Sequence, residues 1–229
     1  MQQSALEGSG TRICCRWLQY SLAIVGGDVS KGMDEATIRQ YDLTANEVAI
    51  FHSSISPIRL YELAKLYFAP GALTLDVGCG VGRDCNWLLN NGFPTYGVDA
   101  SRQMLLKARY GYPHLQLILD SLPNLASIKN HTFENVFCSA VLMHLSVPSA
   151  RSALKNLQRI LCKNGTVILS YRNSMTASER EFGKLYSNLD KKLLLYDLKK
   201  LKMSVLLEES KIDLSRNVVW ENMVLRKNN

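Results

Sequence analysis

The residues of this chain best suited to chemistry lie in Leu73-Thr-Leu-Asp-Val-Gly-Cys-Gly-Val-Gly-Arg-Asp84, an apolar run entering a turn with glycines at 78, 80 and 82. Glycine tolerates positive φ and lets backbone come close to a ligand. A helix beginning just past such a turn offers free N–H groups to an anionic group. Asp76 ends the apolar run ahead of the glycines, where its carboxylate can meet an ammonium. Farther on, Tyr96-Gly-Val-Asp99 is a second apolar run ending in an acid, and a carboxylate so placed can accept both hydroxyls of a ribose. Asp99 can also cap a helix starting near Ser101, and the two roles are compatible. Dinucleotide-binding domains use a glycine-rich turn too, but theirs is spaced G-x-G-x-x-G and this one is G-x-G-x-G.

Such residues must be held by regular elements. Short apolar runs at Leu73–Val77, Thr95–Val98, Leu115–Leu119, Asn135–Ser139 and Thr166–Ser170 read as strands. Helical patterns near 82–91, 101–109, 122–129 and 148–161 separate them. Near-continuous apolar strands alternating with helices predict a parallel sheet covered on both faces. Two helices, 34–52 and 57–68, precede this core, with Ser56-Pro57 as N-cap and first helical residue of the second. After it come a helix-like stretch with Leu185, Leu189 and Leu193, another near 196–202, and strand candidates Ser204–Leu207 and Val218–Arg226. The expected fold is α/β: a doubly wound, seven-stranded, mostly parallel sheet with helices on both faces and a C-terminal antiparallel strand pair. Residues 1–32 lack either periodicity and read as a loose extension. The domain is expected over 33–229, with helices over 33–69 and the core sheet over 72–229.

The sequence resembles the class I S-adenosylmethionine-dependent methyltransferases, in the branch of type 11 or 25 domains. The resemblance rests on LDVGCGVGRD at 75–84, YGVDAS at 96–101, LDSLPNL at 119–125, ENVFCSAVLMHL at 134–145 and NGTVILSYR at 164–172. It implies a Rossmann-like fold with S-adenosylmethionine as cofactor. By the same resemblance Asp76 would contact the methionyl amine, directly or through water, while Gly78, Cys79 and Gly80 form the close-approach turn. Asp99 would hold the ribose, with Ala100 or Ser101 beside the adenine. Asp120 would face the adenine amino group and the backbone at Ser121 and Leu122 the ring nitrogens. Ser139 and Ala140 would pass beside the methionine moiety. Asp120 can alternatively be a cap, and Arg83 either reaches the cofactor carboxylate or stands in solvent. Tyr41 either closes over the cofactor or belongs to the core.

Methyl transfer is an in-line displacement, so aligning nucleophile and methyl group supplies most of the acceleration. A general base is needed only if the acceptor must lose a proton. Ligands in this architecture bind at the carboxyl ends of strands, which makes His144, Tyr171 and Arg172 the catalytic candidates. His144 is a base or an orienting residue, or else a packed histidine. Arg172 pairs with an acidic substrate or with a surface carboxylate. The D/N-P-P-Y motif of amino-group nucleic-acid methyltransferases and the Pro-Cys pair of cytosine-C5 enzymes are both missing. This favours a small-molecule acceptor. An RNA (tRNA) methyltransferase and a catalytically silent cofactor-binding partner protein are the alternatives.

Composition fits. The chain has 229 residues, 47% hydrophobic and 21% charged, enough for one α/β domain with an ample core. The formal charge of +7 would attract an anionic partner, but the basic residues are interleaved with acids, as on a solvated mixed-charge face. Six cysteines, at 14, 15, 79, 85, 138 and 162, form no C-x-x-C pair and no metal-ligand spacing, so no metal is expected and the usage reads as cytoplasmic. Trp17 to Val25 is apolar but too short to span a bilayer. No membrane partner is expected, and the protein is expected to be a monomer or homodimer.

Overall fold

The computed structural model describes residues 32–174, 179–214 and 217–228. The expectation for the N-terminal extension falls almost wholly outside them. Three helices come first: α1 (Glu35–Leu43), α2 (Ala45–Ser54) and α3 (Ile58–Tyr67). Alternating strands and helices follow as β1 (Thr74–Val77), α4 (Arg83–Asn90), β2 (Thr95–Asp99), α5 (Arg102–Gly111), β3 (Gln116–Leu119), β4 (Phe133–Ser139), α6 (Val147–Ile160) and β5 (Leu161–Ser174). The chain continues through a small hairpin, β6 (Glu179–Glu181) and β7 (Lys184–Tyr186), then α7 (Lys191–Lys200), β8 (Met203–Asp213) and β9 (Val218–Lys227).

The main sheet has the order β3-β2-β1-β4-β5-β9-β8. Strands β1 to β5 run parallel, while β9 is antiparallel to both β5 and β8. The expected doubly wound sheet with its antiparallel C-terminal pair is therefore the observed one. Alternation along the strands builds two cores. Val136, Cys138, Val167 and Leu169 pack toward α6 and α7 with Leu154, Leu157, Leu194 and Leu198. Phe137, Ile168 and Val224 face the other way, onto Leu60, Leu63 and Ala64 of α3 and Leu88 of α4. Strand order reverses between β1 and β4, and at such a switch point the loops diverge and leave a crevice above the strand ends.

Four local expectations are corrected. The predicted helix 34–52 is broken at Thr44, whose hydroxyl bonds back to Gln40 O at 2.8 Å and competes with continuation of the ladder. Pro57, not Ser56, stands at the N-cap of α3, and no side chain caps it. Residues 122–129 form turns instead of a helix. Asp120 takes the N–H and hydroxyl of Ser127, and Arg159 of α6 binds the carbonyls of Asn124, Leu125 and Ile128. Partners far along the chain thus satisfy groups that a helix would have satisfied internally. The stretch around Leu185 and Leu189 is no helix either. Phe182 (φ 47°) and Gly183 (φ 81°) make a two-residue turn with positive φ at both positions, the geometry of tight hairpins. Strand β7 is fastened by Leu185 N–H to Thr37 Oγ1 (2.8 Å), and Ser187 N–H just past it bonds to Met143 O (2.8 Å).

Candidate active site

A cavity of about 670 Å³ opens at the switch point, over the carboxyl ends of β1, β2 and β4. Its walls bring together most of the residues singled out in the sequence: Gly78, Cys79 and Gly80; Arg83; Asp99, Ala100 and Ser101; Asp120, Ser121 and Leu122; Ser139 and Ala140; and Tyr41, His144 and Arg172. Asp76 and Tyr171 are not on the wall.

The turn after β1 is fixed by its neighbour. Gly78 N–H and Cys79 N–H both donate to Val98 O, at 2.8 and 3.0 Å, and Gly82 N–H closes the turn onto Cys79 O at 2.9 Å. Gly78, Gly80 and Gly82 have φ of 71°, 53° and 80°. The glycines differ in what they serve. A Cβ on Gly78 would lie 2.2 Å from Val141 Cγ2, so that glycine is required by packing. A Cβ on Gly80 would meet only the flexible ends of Met104 (3.3 Å) and His52 (3.9 Å), so the wall in front of its backbone is clear. Asp99 accepts Gly80 N–H through Oδ2 and Ser101 N–H through Oδ1, each at 2.8 Å, which locks the carboxylate beside the turn. Desolvation holds its pKa above the ordinary carboxylate value.

Several carried-over roles meet competing partners. Asp76 is buried behind the turn, where Cys85 Sγ–H reaches its Oδ2 at 3.2 Å, and burial, reinforced by Asp84, raises its pKa. Asp120 spends its oxygens on its own loop, accepting Ser121 N–H (2.7 Å) and the Ser127 amide and hydroxyl. Ser101 caps α5 by accepting Met104 N–H, and its hydroxyl donates to Asp42 at 2.5 Å, pinning α1 to α5. The Arg83 guanidinium forks onto Asp84 and bonds the carbonyls of His52 and Ile55, so it ties the end of α2 to the glycine turn. Tyr61 O–H completes this cluster on Asp84 at 2.6 Å.

Opposite the turn, His144 is only 3% exposed. Its Nδ1 lies 2.7 Å from Leu185 O and its Nε2 3.0 Å from Tyr41 Oη. A carbonyl can only accept, so Nδ1 carries the proton and Nε2 accepts from the Tyr41 hydroxyl. Burial pushes the His144 pKa down to about 4, and the ring is neutral at pH 7. Arg172 lies with its guanidinium 3.8 Å from the Tyr186 ring centroid and pairs with Glu181. Its strand neighbour Tyr171 points to the opposite sheet face, 0% exposed, with no hydrogen-bond partner for its hydroxyl among the described residues. The period-2 alternation of a strand allows Arg172 or Tyr171 to face the cavity, not both.

Sequence reasoning missed Tyr186, Lys211, Trp220 and Asn222, which also line the cavity. Tyr186 was hidden because the positive-φ turn at Phe182 and Gly183 went unread. The other three come from β8 and β9, whose register across β5 no local pattern specifies.

Residues 75–169 match the family model described as a methyltransferase domain. The chain is 28% identical over 119 residues to an uncharacterized methyltransferase of Alkaliphilus oremlandii, covering 52% of this chain and 53% of that protein. It is 28% identical over 129 residues to a ubiquinone biosynthesis O-methyltransferase of Xanthomonas campestris pv. campestris, covering 55% of this chain. The aligned part again spans 53% of that relative, about half the length of the curated proteins matched. Among solved structures, the 1,6-didemethyltoxoflavin-N1-methyltransferase of Burkholderia thailandensis, crystallised with 1,6-didemethyltoxoflavin and S-adenosylhomocysteine, superposes with a TM-score of 0.61. That alignment covers 85% of this chain and 84% of that one at 18% identity, a likeness of fold.

Proposed function

Residues 75–169 being a class I methyltransferase domain, we propose that the protein transfers a methyl group from S-adenosylmethionine to a small-molecule acceptor. The observation that carries this reading is the pairing of the Gly78-Cys79-Gly80 turn with Asp99 on one wall of a cavity at the switch point. The residues fit the cofactor: a clear approach to Gly80, a carboxylate with room to accept a ribose diol, and a loop at Asp120 to Leu122 flanking the place for a base. When bound, S-adenosylmethionine supplies an electrophilic methyl on a sulfonium.

The chain's own residues then have to orient a nucleophile toward that methyl and keep water away. Tyr41 and His144 do the first. Burial raises the Tyr41 pKa, so the phenol stays protonated and its oxygen can accept from an acceptor hydroxyl or amine while it donates to His144. A neutral His144, fixed by Leu185 O, holds the phenol in place and could take a proton only weakly. Arg172 lies on the same wall, while Tyr171 belongs to the core. Helices α1 and α2, fastened by Asp42 to α5 and by Arg83 to the turn, roof the cavity.

Charge distribution supports a small acceptor over RNA. Arg59 pairs with Glu62 and Glu209, Arg151 with Asp197, Arg180 with Asp34, and Lys191 with Glu208 and Glu221. Among the described residues, basic groups paired in this way are less available to a phosphate backbone on those faces. No helix among the described residues is long and apolar enough to cross a membrane. The deciding experiment incubates the protein with methyl-labelled S-adenosylmethionine and either the small-molecule or the RNA fraction of an extract. Label in the small-molecule fraction is expected. Label confined to RNA, with steep salt dependence, would overturn the acceptor class, and binding without turnover on any fraction would favour the silent partner.

A further inference from the structure

Away from the glycine turn the cavity continues across the C-terminal half of the sheet, and the strand register there sets an ordered row. Arg172 of β5 stands opposite Trp220 of β9, and Trp220 stands opposite Lys211 of β8. All three line the cavity, so they share one face. The next row on that face is Ser170, Asn222 and Glu209, in the same strand order. An indole flanked by two cations therefore forms the floor. Phe51, Ile55 and Ile58, at the junction of α2 and α3, line the same cavity and are 56%, 43% and 66% exposed, an apolar edge with nothing over it among the described residues.

Arg172 is matched by Glu181, and Glu209 by Arg59, which also pairs with Glu62. Lys211 has no ion pair among the described residues, so its ammonium stands in the indole's row with no directly paired counter-charge. Arg172 also keeps its Nε without a hydrogen-bond partner although that atom is buried, an arrangement that costs free energy until something accepts from it. A planar ring seated on Trp220 would bury against the indole and the apolar edge, and a carboxylate on that ring would lie between two cations.

We infer that this arm is the acceptor subsite and that it takes a planar, apolar molecule bearing a carboxylate, stacked on Trp220 between Arg172 and Lys211. The inference rests on the methyltransferase reading, since it places the acceptor beside the Tyr41–His144 pair, but the subsite can be tested by binding alone. The probes are 2-naphthoate and its uncharged counterpart 2-naphthamide, titrated by calorimetry into the full chain with and without saturating S-adenosylhomocysteine. Naphthoate is expected to bind at least tenfold more tightly than the amide at low salt. Lys211→Glu, a change at an exposed position, is expected to remove most of that preference. Trp220→Leu should weaken both probes together, with thermal melting as the check on folding. Equal affinity for the two probes, no measurable binding of either, or an unchanged preference in Lys211→Glu would each overturn the inference. The same titrations measure S-adenosylhomocysteine directly, so a failure of the cofactor reading shows itself separately, and the preference for the anion is then read from the cofactor-free arm.

Discussion

Burial of His144 between Tyr41 and Leu185 makes the stability of the protein depend on pH in a way that can be worked out. Its pKa falls from 6.5 to about 4 on folding, chiefly through desolvation. A base whose folded pKa is depressed binds more protons when unfolded, so stability from this group is fully present above pH 6.5 and is lost as pH falls toward 4. Between pH 7 and pH 5 the loss is about 2 kcal/mol, an average of about 1 kcal/mol per pH unit against the limiting slope of about 1.4 for one proton, because the unfolded histidine is only partly protonated near its pKa. For a domain of this size that is a fall of about 4–8 °C in melting temperature. His52, also lowered to about 4 by burial, adds a slope of the same sign. The assay is therefore a comparison. Thermal melts of the wild type and of His144→Gln, which cannot gain a proton, are recorded at pH 7 and pH 5. The substitution's own cost cancels when each protein is compared with itself, and the variant should lose about 2 kcal/mol less on acidification. Equal slopes in the two proteins would mean that His144 titrates normally when folded, which contradicts the donor–acceptor assignment between Tyr41 and Leu185.

Asp99→Asn leaves one oxygen to serve the N–H groups of both Gly80 and Ser101, so one donor faces an amide NH2. That unmet donor lowers the melting temperature, while a ribose losing its charged acceptor costs about 1.5–3 kcal/mol of binding, read by calorimetry as S-adenosylhomocysteine affinity weakened roughly ten- to a hundredfold; unchanged affinity would remove Asp99 from the ribose role. Gly80→Val places a branched residue at φ 53°, a strain of about 1–2 kcal/mol. It should abolish cofactor binding while circular dichroism still reports a folded protein, and retained binding would mean that the turn is not the cofactor's cradle. Tyr171→Phe deletes a buried hydroxyl that has no partner among the described residues. Its melting temperature should hold or rise and its turnover should not change, whereas a large drop in kcat would return Tyr171 to the site.

The sequence alone determined the strand-and-helix alternation from Leu73 to Ser170 except at 122–129, because each strand's apolar run and each helix's apolar stripe is a local property of the chain. It also determined the glycine turn and Asp99, whose roles depend on residue type at a strand end, and those sit where expected. Tertiary structure decided whatever needs a partner far along the chain. Whether Asp120 addresses a ligand or its own loop depends on Ser127 and on Arg159 holding that loop in turns. Arg83 is drawn to the end of α2 by the carbonyls of His52 and Ile55. The choice between Tyr171 and Arg172 is one of strand phase, set when β5 pairs between β4 and β9. The same pairing brings Trp220 and Lys211 beside Arg172. Side chains drawn from three strands become neighbours only through inter-strand hydrogen bonds, and a one-residue slip in register would turn each of them to the other face.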